Sequence, residues 1–72
     1  LEHERLNRLL GRLSPREETV LRIRYGFEDG EARSLADVGE RLGVSRERIR
    51  QIERRALERL KKWIEVTEEG QG

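Results

Sequence analysis

Two glycines four residues apart, Gly39 and Gly43, interrupt a short apolar run, and few folds have a use for both. Leu35, Val38 and Leu42 recur at spacings of three and four, which lines one face of an α-helix. Gly39 lies on that helix where it crosses the next one, and only a small residue permits close backbone approach there. Gly43 supplies the positive φ of a tight turn, and Val44 plugs beneath it. Ile49 and Ile52 then point inward from the following helix. A generic helical hairpin needs no small residue at both positions, whereas a helix-turn-helix does. An ordinary helix pair is the plainer alternative.

The rest of the chain reads as helix too, since no stretch alternates with period two for long enough to make a strand. Leu6, Leu9, Leu10 and Leu13 share a face that Gly11 ends or bends. That stripe is either wholly internal or partly open to a partner helix. In Ser14-Pro15-Arg16-Glu17, Ser14 can cap, Pro15 suits the first helical position and Glu17 can reach back to the cap. The helix so started carries Val20, Leu21 and Ile23 and ends near Tyr25, with Gly26 left-handed. Phe27 to Arg33, around Asp29-Gly30, is a loop. Ser34 and Asp37 open a helix over Leu35 to Leu42, and Ser45 caps a final one to about Ile64. The expectation is an all-α, four-helix domain over residues 1–64, followed by a polar, frayed tail over 65–72.

Such a chain supports a narrow set of functions. Its 72 residues bury a thin core, and only 33% of them are hydrophobic while 43% are charged. No cysteine occurs and His3 is the single histidine, so thiolate or histidine-rich metal sites and a Ser-His-Asp triad are not expected. No metal or other cofactor is implied, and no enzyme: neither a nucleophile–base pair nor a carboxylate cleft can be assembled. No apolar run nears the ~18 residues of a membrane span. The absence of methionine leads us to expect a piece of a longer protein. His3 is expected at a frayed end with no role. Trp63 is expected to close the bottom of the core, and Tyr25 and Phe27 either belong to the core or line a groove.

Charge is unevenly spread. The net formal charge is +1, yet residues 45–62 carry eight basic side chains against three acidic ones, and six of the eight are arginine. This is either a solvated helix face or a focused anion-binding surface, and arginine's bidentate geometry favours the second. At 100° per residue, Ile49, Ile52, Ala56, Leu60 and Trp63 cluster on one side of the last helix. Glu47, Arg50, Gln51, Arg54 and Glu58 lie opposite, flanked by Arg46, Arg48 and Arg55. The outward N-terminal positions Arg46, Glu47, Arg50 and Gln51 are those that meet base edges in a helix-turn-helix. Arginine pairs with guanine, glutamate accepts from the cytosine amine and glutamine reads adenine. Glu47 repels phosphates, so it makes sense as a base reader, although favourable interaction with the helix N-terminus would also explain it.

Val44-Ser45-Arg46-Glu47-Arg48-Ile49-Arg50-Gln51-Ile52-Glu53 resembles the recognition helix in region 4 of bacterial sigma factors. Leu13-Ser14-Pro15-Arg16-Glu17, Arg22-Ile23-Arg24-Tyr25-Gly26 and Leu35-Ala36-Asp37-Val38-Gly39 resemble the preceding parts of that region, in the same order. The resemblance covers roughly residues 5–62 and is to primary and closely related sigma factors. It implies binding to the promoter −35 element and docking on the flap of the RNA polymerase β subunit, in the bacterial cytoplasm at the nucleoid. It assigns base contacts to Arg46, Glu47 and Gln51 with Arg50 alongside, and DNA-backbone contacts to Arg24, the Leu35 N–H, Ser45, Arg48 and Arg55. Arg55, Glu58, Arg59 and Lys61 correspond to positions that meet upstream-bound activators, and anti-sigma factors are further partners. Glu58 departs from the basic residue usual there, and the acidic end departs from the usual basic final helix. The competing readings are a protein-interaction module and a stand-alone helix-turn-helix regulator.

Overall fold

A computed structural model describes residues 3–71, with side chains described for residues 3–66. Four helices follow one another: α1 (His3–Leu10), α2 (Pro15–Arg24), α3 (Leu35–Leu42) and α4 (Arg46–Gln71). Each internal start follows the local chemistry. Ser14 Oγ accepts the Glu17 N–H at 3.3 Å and Glu17 Oε1 accepts the Ser14 N–H at 3.2 Å, a reciprocal capping box with Pro15 at the first helical position. Ser34 Oγ accepts from the Asp37 N–H at 3.1 Å and Ser45 Oγ from the Arg48 N–H at 3.0 Å, which starts α3 and α4.

The turn between α3 and α4 has the expected form, with close backbone approach at Gly39. Gly43 is left-handed at φ 72° and caps α3. Gly39 sits where α3 meets the turn and the start of α4: a Cβ there would lie 2.6 Å from the Val44 carbonyl oxygen and 3.5 Å from the Arg46 nitrogen. That oxygen belongs to the chain already folding back, while the Val44 N–H donates to the Gly39 carbonyl at 3.0 Å. Both glycines therefore serve one compact corner.

Two apolar clusters are strung along α4. Val20, Val38, Ile49 and Ile52 form one, with Ile23, Leu35, Leu42 and Val44 packed around it. Leu10, Leu13, Leu21, Ala56 and Leu60 form the other, with Leu9, Phe27 and Trp63 against it. The leucine stripe thus divides: Leu10 and Leu13 are buried, while Leu6 and Leu9 are half-buried. Glu17 is the single buried charged residue among those described. The Glu17 carboxylate is paired, accepting from Arg59 Nη1 at 2.6 Å as well as from the Ser14 N–H. The Arg12 and Arg59 guanidinium carbons stand 4.4 and 5.2 Å from the Trp63 ring, so Trp63 is held between two cations at the edge of the second cluster.

Three expectations need correcting. The backbone of α4 is helical to Gln71, not to about Ile64, because Glu65 to Glu69 contains neither proline nor glycine and Gly70 comes only at the last turn. His3 opens α1 and stacks on Phe27 with ring centroids 5.4 Å apart. Tyr25 is no core residue, since 47% of it is exposed. Gly72 lies outside the described residues.

Candidate nucleic-acid interface

α4 separates its two duties by angle. Ile49 is fully buried and Ile52 nearly so, while Arg46, Glu47, Arg50 and Gln51 on the same two turns are exposed. The four outward side chains are not independent. Both Glu47 oxygens accept from Arg50, Nε at 3.1 and 3.0 Å and Nη2 at 2.6 Å. The Arg50 hydrogen bonds hold the Glu47 carboxyl below the ordinary glutamate range, and Glu47 in return raises the Arg50 guanidinium. Arg48 Nη1 approaches Gln51 Oε1 at 3.5 Å. The face therefore offers guanidinium donors, a carboxylate acceptor and an amide within two turns, which is the chemistry needed to tell base edges apart in a major groove.

The positions expected along the DNA backbone fall into two groups. Arg48 and Arg55 are exposed on one flank of α4 and line a cleft of about 440 Å³ with Ser14, Arg16 and Gln51. Arg16 belongs to this basic cleft although sequence reasoning used it only within the Ser14 start signal. Its position two residues after a helix cap, on the side facing α4, was the available clue. The Leu35 N–H opens α3, where helix geometry leaves the first amides without intrahelical acceptors. Ser45 sits at the matching place on α4, with its hydroxyl oxygen engaged as a cap.

Arg24 is different. Nε donates to Glu53 Oε2 at 2.9 Å, and Nη1 donates to the Arg33 carbonyl. It ties α2 to both α4 and the loop before α3, so much of its hydrogen-bonding capacity is spent within the fold. The loop is braced by Asp29, which accepts from the Glu31 N–H at 3.0 Å and from Arg33 at 2.6 Å; these bonds lower its carboxyl.

Of the positions implied to meet activators, Arg55 and Lys61 are exposed, and Glu58 lies 3.6 Å from Arg54. Arg59 is turned back onto Glu17 and Trp63. Sequence spacing gave no sign of this, because Glu17 and Arg59 are 42 residues apart.

The resemblance over roughly residues 5–62 agrees with the comparison with known proteins. Residues 9–62 fit the family described as Sigma-70, region 4. This chain belongs to that family. Its region 4 is 51% identical over 61 residues to RNA polymerase sigma factor SigA4 of Synechococcus elongatus. It is 55% identical over 58 residues to SigA of Clostridium acetobutylicum, and 52% over 62 residues to the principal sigma factor HrdD of Streptomyces coelicolor. These alignments take in 85%, 81% and 86% of the chain but only 20%, 15% and 19% of the respective relatives. The region 4 chain thus spans about a fifth or less of the proteins it matches.

On the side of the molecule away from the basic cleft, Leu6, Leu10, Leu21, Tyr25, Phe27, Leu57 and Leu60 line an apolar groove of about 440 Å³. Partial burial and the neighbouring Glu53 carboxylate push the Tyr25 hydroxyl above its ordinary pKa at the rim. Leu57, 40% exposed, was absent from the apolar stripe read off α4. It falls three residues before Leu60 and seven before Ile64, a second helical row beside the first. Among the described residues no group of His, Cys, Asp and Glu is placed to hold a metal ion, and no helix is long and apolar enough to cross a membrane.

Proposed function

We propose that this chain recognises the −35 element of a bacterial promoter with the first two turns of α4 and docks through its apolar groove on the β-subunit flap of RNA polymerase. One observation carries the reading: on turns where Ile49 and Ile52 are buried, Arg46, Glu47, Arg50 and Gln51 all face solvent. Arg46, Glu47 and Gln51 read bases, with Arg50 alongside. Ser45, Arg48, Arg55 and the Leu35 N–H meet phosphates, joined by Arg16. Arg24 supports them by fixing α2 against α4. The domain positions polymerase and does no chemistry itself, acting in the cytoplasm at the nucleoid.

Fluorescence anisotropy tests the DNA half, with one duplex carrying TTGACA and one scrambled, each at two salt concentrations. The expected result is tighter binding to the hexamer, with affinity falling steeply as salt rises. Equal, weak binding to both duplexes would sink the −35 reading, and preference for a palindrome would favour a stand-alone regulator.

The groove favours a second reading, that of a module held by a protein partner such as an anti-sigma factor, and the two can coexist on opposite faces. Arg55, Glu58 and Lys61 remain as the surface for an upstream activator. Leu57→Asp should abolish capture of the flap while DNA binding persists. Loss of both together would instead point to a damaged fold.

A further inference from the structure

A carboxylate is an odd resident of a surface meant to approach phosphates, and Glu47 does not stand alone on it. Both of its oxygens accept from Arg50, which is drawn along the helix surface by a two-point contact at 2.6–3.1 Å. The pair is open to exchange, since the Arg50 and Glu47 side chains are 49% and 60% exposed. Exposed ion pairs of this kind are weak enough to be traded for another partner. Arg46 also acts on Glu47 through its charge, but the hydrogen bonds described to the carboxylate come from Arg50, while Arg48 approaches Gln51 and Arg54 lies by Glu58.

We infer that Glu47 is an internal counter-ion that keeps Arg50 from phosphates until a matching base pair offers Glu47 a donor of its own. On an unmatched sequence, Arg50 reaches DNA only by breaking the pair, which strands a carboxylate in an anionic groove. On a matched one, a cytosine amine can take over Glu47 and release Arg50 at the same time. Discrimination at this face then belongs to the pair, and the acid acts against wrong sequences as well as for the right one. The inference rests on the DNA-binding reading above and adds a role for free-state pairing.

A double-mutant cycle on the scrambled duplex tests it, with Glu47→Gln made in the wild-type and Arg50→Gln backgrounds and folding checked by circular dichroism. With Arg50 present, Glu47→Gln should raise affinity for scrambled DNA roughly two- to fivefold. It should also steepen the salt dependence by about 0.9, the signature of one more phosphate neutralised. With Arg50 replaced, only the smaller rise from relieving Glu47's own repulsion should remain, with a correspondingly smaller change in slope. An equal rise in both backgrounds would show plain repulsion by Glu47 and overturn the inference, as would no rise in either. If the wild-type chain shows no hexamer preference, the −35 reading fails by itself. The counter-ion inference then stands or falls on the coupling seen with scrambled DNA, and a chain that binds no duplex overturns both.

Discussion

The two ends of α4 solve the same packing problem differently. Around Ile49 and Ile52 the apolar surface is closed: Val20, Val38 and Ile49 have no exposure, and the partly buried neighbours complete the shell. Around Ala56 and Leu60 the surface is left open as an apolar groove, and Trp63, between Arg12 and Arg59, packs at another edge of the same cluster. The closed end turns polar and charged side chains of α4 outward, and the open end leaves apolar area uncovered. A small domain has little core to share, and here one half holds the shape while the other keeps a surface available.

The sharpest way to break that contrast is at the closed end. Ile49→Ala removes a fully buried side chain with no room to collapse and should cost about 3 kcal/mol. In a domain this small that lowers the melting temperature by well over ~10 °C, and a thermal melt reads it directly. A loss comparable to that of an exposed position would mean that the cluster is not the stabilising half. Gly39→Ala comes next. Alanine is the better helix former, so an unconstrained site would gain stability. Contact with the Val44 carbonyl should reverse the sign and cost about 1–3 kcal/mol, measurable by urea denaturation. A stabilised variant would show that the corner has slack.

Arg59→Ala probes the seam between the two ends. It leaves the buried Glu17 with only the Ser14 N–H, and should cost about 1–2 kcal/mol, discounted because Arg59 is partly exposed. Combining it with Glu17→Gln should cost less than the sum of the two single changes; strict additivity would deny the pair any coupling. The smallest effect expected is from acid. Asp29 and Glu47 both have native pKa values below their ordinary ones. Their contribution is therefore complete above the ordinary carboxylate range and is lost as pH falls through the depressed native values. Both are surface groups, so a pH titration followed by NMR of the two carboxyls is the suitable measurement, and titration at ordinary values would contradict the bonding described.

What could be read from the sequence follows the same division. Ser14, Ser34 and Ser45 act within three residues, and Gly43 acts on its own φ, so a linear string displays them. The stripe of Ile49, Ile52, Ala56 and Leu60 is equally local. The open end depends on what meets across the fold: the Glu17–Arg59 pair, Trp63 between two arginines, and Leu57 beside Tyr25 have no signature in spacing. The resemblance implies that Arg24 meets the DNA backbone, and its bonds to Glu53 and to the Arg33 carbonyl, which depend on α4 and the loop coming together, have no signature in spacing. The end of α4 has a related explanation: the polar, glycine-containing tail predicts fraying, but Glu65 to Glu69 holds neither proline nor glycine and Gly70 comes only at the last turn.

Because one unbroken helix serves both ends, it fixes an angle as well as a distance. From the exposed Gln51 to Leu57 on the groove is six residues, about 9 Å along the axis and about 240° around it. A duplex held at one and a partner seated at the other are thereby set in a defined mutual rotation, with no hinge between them to absorb an error. Inserting a single residue between Ile52 and Leu57 would turn Ala56, Leu57 and Leu60 by about 100° relative to Gln51 and take them out of register with the α1 and α2 side chains they pack against. In this sense α4 works as a protractor, and its register in the chain encodes the geometry of whatever is assembled across it.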